Sequence, residues 1–145
     1  MRIAFAVDDR PPRKRGEKSM WARADEAPLV ARLRREALKQ RTKAGLTTCP
    51  RVRSLELTVY APAGQLERIG DLDSFVSGVC DGLQAAAGRV LPFLHPVFLE
   101  PGNEDIHPRI PLLIDNDARL VRIVARKSAA PAGRGIFYHV AVATG

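Results

Sequence analysis

The chain has 145 residues, 46% of them apolar and 27% charged, which suits one globular core and excludes a disordered or membrane-embedded chain. No apolar run approaches the roughly 20 residues a membrane span needs. No small-residue cleavage site follows the short apolar start Met1 to Val7, so the expected location is the cytoplasm. A net charge of +7 and a pI near 10.1 suit an anionic partner, nucleic acid ahead of lipid, and suit equally a basic protein that binds nothing specifically.

Residues 2 to 8 alternate, with Ile3, Phe5 and Val7 on one face, and predict a first strand. Residues 8 to 21 (DDRPPRKRGEKSMW) follow. Pro11, Pro12 and Gly16 forbid regular structure there, while Arg10, Arg13, Lys14, Arg15 and Lys18 concentrate positive charge. This basic segment is either a solvated arm or a binding loop, with Trp21 as its apolar anchor. A helix is expected from near Pro28, with Asp25 and Glu26 at the positive end of its dipole and Gly45 past its end. Leu29, Val30, Leu33 and Ala37 form its buried stripe; Arg32, Arg34, Arg35, Lys39, Arg41 and Lys43 form a basic face, solvated or turned to a phosphate backbone.

A second strand is predicted over 52–60, with Leu55, Leu57 and Val59 facing the core. A second helix starts at GDLDSFVSGVCDGLQ, residues 70 to 84, with Leu72, Phe75, Val76, Val79, Cys80 and Leu83 as its apolar positions. Residues 88 to 113 are broken by five prolines and read as an irregular insertion, with a short strand at Val97 to Leu99. Residues 117 to 127 predict a strand with Val121, Ile123 and Ala125 inward, and residues 136 to 143 a closing strand. These last two are expected to pair as an antiparallel hairpin. The expected fold is α+β: a small mixed sheet with two main helices packed on it, in one domain over 1–145.

Two cysteines, Cys49 and Cys80, have no metal or redox spacing, and Cys80 falls on an apolar helix face. His95, His107 and His139 form no ligand pattern. The acidic residues are more informative. Asp71 and Asp73 lie two apart at a loop-to-helix junction, where both can converge and the helix dipole stabilises negative charge. Such a pair either caps the helix or holds a divalent metal; Mg²⁺ usually takes one or two carboxylates plus waters and substrate phosphate. Asp115 and Asp117, flanking Asn116 before a strand, are candidates for a third ligand or make a polar turn.

These residues carry a resemblance. DLDSFVSGVCDGL is similar to the signature of the RusA-like Holliday-junction resolvases (crossover junction endodeoxyribonucleases), roughly DLDNxxKxxxDxL, through Asp71, Leu72, Asp73, Asp81 and Leu83. Asn116 and Asp117 with Val121 and Lys127 resemble the family's later acidic turn and strand. The basic, proline-containing segment after the first strand also resembles the family layout. The resemblance implies a RusA-like domain carrying an insertion at about 88–113. It implies a homodimeric, Mg²⁺-dependent (Mn²⁺ possible) endonuclease on branched DNA, for recombination and repair, with Asp71, Asp73 and Asp117 as the metal-binding catalytic set. It places the DNA contacts on Arg13, Lys14, Arg15, Lys18 and Lys127. Ser74 stands at the family's asparagine and Ser77 at its lysine. The alternative is a non-catalytic nucleic-acid-binding relative that has lost that lysine.

Overall fold

The computed structural model describes residues 1–14 and 19–145. The architecture is α+β. β1 (Arg2–Asp8), α1 (Ala27–Lys43), β2 (Ser54–Ala61), α2 (Leu72–Leu83), β3 (Arg122–Ala129) and β4 (Phe137–Ala143) follow one another in that order. The strands form one mixed sheet in the order β1-β4-β2-β3, with β1–β4 and β2–β4 antiparallel and β2–β3 parallel. Alternation decides which face is buried: Ile3, Phe5 and Val7 of β1 and Leu55, Leu57 and Val59 of β2 join Val30, Leu33, Phe75, Val79 and Leu83 of the helices in one core.

α1 begins where the sequence places it, with Pro28 in its first turn and Gly45, at φ +76°, just past its end. α2 is positioned by two glycines. Gly70, at φ +132°, turns the chain into the helix, and a Cβ there would lie 2.9 Å from the Phe75 ring. Gly78 lets the segment after β1 lie directly on the helix, because a Cβ at 78 would overlap the backbone of Pro12.

Four expectations are corrected. β3 and β4 are not a hairpin, since β2 lies between them. β4 is apolar enough to be buried on both faces, with Phe137, Tyr138, Val140, Ala141 and Val142 all buried, so it takes a central place. β3, carrying Arg122, Arg126 and Lys127, takes the edge, where charge is tolerated and discourages further pairing. Ile123 and Ala125 lie opposite Leu55 and Leu57 and share their face of the sheet as expected, but at the uncovered edge Ile123 is 48% exposed, and Val121, just before the strand, 69%. Residues Pro96–Leu99 form a short 3-10 helix rather than a strand, opened by His95, whose Nδ1 accepts from the Val97 N–H at 3.0 Å.

The fourth correction concerns part of the basic face of α1: Arg34 and Arg41 turn to the insertion, while Arg32, Arg35, Lys39 and Lys43 are exposed as expected. Arg34 is fully buried. Its guanidinium donates to the carbonyls of Ile106, Gly82, Gln84, His107 and Ile110. Arg41 donates to the carbonyls of Pro111 and Leu112, and Arg35 reaches Asn103. A segment with five prolines cannot satisfy its carbonyls in a regular ladder, and α1 supplies the donors instead. Trp21 is buried against Phe98 at a ring separation of 5.6 Å, with Arg34 over its ring, so it anchors the insertion and presents no surface for a base. Among the described residues no helix is long and apolar enough to cross a membrane.

Candidate metal and nucleic-acid site

The segment after β1 is laid along α2 by charge and by shape. Arg10 grips both carboxylate oxygens of Glu26 at 2.9 and 2.7 Å, and Glu26 has no exposed surface. The Arg13 N–H donates to the same carboxylate at 2.8 Å, and the Arg13 guanidinium lies 3.4 Å from it. Burial pushes the Glu26 carboxyl up, but hydrogen bonds from Arg10 and from the Arg13 backbone, with both positive charges, bring it below its ordinary value. Pro11 and Pro12 are buried, Pro12 rests on Gly78, and the Lys14 N–H points to the Ser74 carbonyl at 3.4 Å. The start of the basic loop is therefore a packed strap across α2, not a solvated arm.

This distributes the expected DNA contacts unevenly. Arg13 is turned inward to Glu26, its side chain 18% exposed. Lys14 stays outside, 67% exposed, with its ammonium 3.3 Å from Asp81. Lys127 lies opposite Val59 in the register and donates to the Leu66 carbonyl at 2.8 Å, in the loop leading to α2. Arg15 and Lys18 lie outside the described residues.

Asp71 occupies the N-cap position of α2 in extended backbone geometry, yet its side chain makes no capping hydrogen bond. Asp73, in the first turn, accepts from the N–H of its neighbour Ser74 at 3.0 Å. Among the described residues neither carboxylate has a cationic partner, and both residues are exposed at the positive end of the helix. The capping explanation of this pair is therefore not what the geometry displays at Asp71.

Asp117 is held elsewhere. Its N–H donates to the Gln84 side chain at 3.2 Å, and Gln84 in turn donates to the Cys80 carbonyl at 3.0 Å. That places Asp117 beside the last turn of α2, at the level of Asp81. Burial first, and then the charges of Asp117 and Asp81, push the Cys80 thiol up to about 12. Asp73 and Asp81 are separated along the helix by about 12 Å, from the rise of 1.5 Å per residue. Asp71 and Asp73 thus share one end of α2, and Asp117 sits with Asp81 near the other. Among the described residues no three His, Cys, Asp or Glu side chains form a group that could hold a metal ion. Asp115, the other acid of the turn, pairs with Arg119 at 3.2 Å.

Sequence reasoning passed over Glu26 as a helix-dipole residue and did not single out Asp81 beyond its match to the motif. The signal for Glu26 was available: one carboxylate lies downstream of a cluster of arginines, next to a helix start. Asp81 falls four residues after Ser77 and eight after Asp73, so all three line one outer face of α2. No protein-family model and no curated protein matches the chain.

Proposed function

We propose that the chain is a RusA-like, metal-dependent endonuclease that cuts branched DNA. The observation that carries this reading is that Asp71, at the N-cap of α2, makes no capping hydrogen bond and, like Asp73 two residues on, has no cationic partner among the described residues of a chain with net charge +7. Mg²⁺ is commonly held by one or two carboxylates plus waters and phosphate oxygens, which Asp71 and Asp73 fit. A bound Mg²⁺ or Mn²⁺ would activate water and steady the leaving oxygen of a phosphodiester. Asp117, third in the set the resemblance implies, sits with Gln84 at the far end of the same helix, so the reading rests on Asp71 and Asp73. Lys14 offers a cation to the DNA backbone on the outer face of α2, and Lys127 braces the loop that presents Asp71. The order of elements is compatible with this assignment, and a two-fold branched substrate suits a homodimer.

The reading is tested with purified protein and Mg²⁺ or Mn²⁺. Four-way junctions should be nicked, and Asp71→Asn should lose the activity. Junctions, flaps and duplexes left intact at high enzyme excess would end it. A second reading, a non-catalytic nucleic-acid-binding relative, is favoured by one observation: Asp117 is held with Gln84 at the end of α2 away from Asp71 and Asp73. On that reading junction binding is steeply salt-dependent and survives Asp73→Asn and Asp117→Asn without metal.

A further inference from the structure

A nuclease needs more than metal ligands. Negative charge builds on the phosphate and its leaving oxygen, and a fixed cation nearby stabilises it. Ser77 leaves the middle of the outer face of α2 without one. The described strap carries three cations, Arg10, Arg13 and Lys14, and two of them are bound to Glu26. Lys14 alone among them is directed along α2. Its backbone is tethered to Ser74, Pro12 two residues before it is seated against Gly78, and its ammonium stands 3.3 Å from Asp81, one turn beyond Ser77.

We propose that Lys14 is the catalytic cation of this site, delivered from the strap to the face where Ser77 leaves none. The proposal rests on the nuclease reading and adds to it the residue that contacts the reacting phosphate. Asp81 holds the ammonium on the helix before DNA arrives. The flexible four-carbon stem then lets it move along the Asp73–Ser77–Asp81 stripe toward a phosphate near Asp71 and Asp73. The glycine at 78 is part of the device, because it brings the strap close enough for a lysine to reach.

The test compares the wild type, Lys14→Gln, Ser77→Lys and the Lys14→Gln/Ser77→Lys double variant. Each is measured for four-way-junction cleavage in Mg²⁺ and for metal-free junction binding across a salt series. Lys14→Gln should lower the cleavage rate about 10²–10³-fold, as loss of one charge-stabilising donor does. It should also lower the slope of log affinity against log salt by about one, the signature of a single lost phosphate contact. Ser77→Lys should restore cleavage to the Lys14→Gln protein by supplying the cation from the helix itself. Undiminished cleavage by Lys14→Gln, or an unchanged salt slope, overturns the proposal and leaves the nuclease reading standing. If the wild type cuts nothing while binding junctions, the nuclease reading fails first and the catalytic role of Lys14 falls with it.

Discussion

The carboxylate of Glu26 and the guanidinium of Arg10 form a two-pronged pair at 2.9 and 2.7 Å, with Glu26 wholly buried and Arg10 18% exposed. The pair joins the start of α1 to the strap after β1, and the Arg13 backbone closes onto the same carboxylate. Glu26→Gln removes the charge and keeps the shape, leaving two arginines without a counter-ion. A loss of about 3 kcal/mol is expected, the lower end for breaking a buried pair, read from urea or thermal unfolding.

The same pair sets a pH response. The folded-state pKa of Glu26 lies below its ordinary value of 4.5, so the unfolded chain takes up the proton first as pH falls. The stability this group contributes is present above that ordinary value and is lost as pH drops through the folded value. Unfolding free energy should therefore decline on acidification below about pH 4.5, and the decline should be shallower in Glu26→Gln. Equal acid slopes in the two proteins would show that Glu26 does not link protonation to folding.

Arg34 predicts the behaviour of the insertion. Burial, with the charge of Arg41 beside it, pushes its pKa down to about 9, which still leaves the guanidinium charged at neutral pH. Arg34→Met should strand carbonyls from residues 82–84 and 106–110 without donors, costing about 3 kcal/mol or more. Arg34→Lys should recover only part, because an ammonium cannot reproduce the planar fork. Hydrogen exchange should localise the damage to residues 88–113 before the sheet is affected.

Gly78→Ala tests the strap directly. The added methyl overlaps the backbone of Pro12, so either the strap lifts or α2 shifts, at a cost of about 1–3 kcal/mol. Amide exchange at Lys14 should accelerate more than at β2 or β4. Uniform acceleration across the chain would mean that the glycine serves only the global packing.

The position of Asp117 separates the acids in their effect on cleavage. Asp71→Asn and Asp73→Asn should each lower junction cleavage by at least about a hundredfold, as loss of metal ligation does. Asp117→Asn should lower it less than about tenfold, since Asp117 sits with Gln84 at the other end of α2. Equal losses would instead put Asp117 in the same metal shell as the pair.

Much of the fold is legible in single elements. The alternation of Ile3, Phe5 and Val7 and of Leu55, Leu57 and Val59 fixes two strands and their buried face, and Pro28 with Gly45 brackets α1. Alternation states which face a residue takes but not which strand lies beside it, so the sequence suggests a hairpin of β3 with β4 where the sheet instead sets β3 beside β2. The same limit hides Arg34: it reads as one more cation of a basic face until the carbonyls of a proline-rich segment some seventy residues away arrive as partners. Asp71 and Asp73 announce themselves by their spacing at a helix start. Asp117 does not, because the chain between Leu83 and Asp117 passes through the insertion, and no local pattern reports where that excursion returns.

Cleavage of a synthetic four-way junction by the wild type and Asp73→Asn, side by side in Mg²⁺ and in Mn²⁺, bears most directly on the central claim. Metal-dependent nicking by the wild type and its loss in Asp73→Asn, with metal-free junction binding retained by both, is the predicted result. Binding without any nicking by the wild type in either metal would contradict it and leave a protein that holds branched DNA without cutting it.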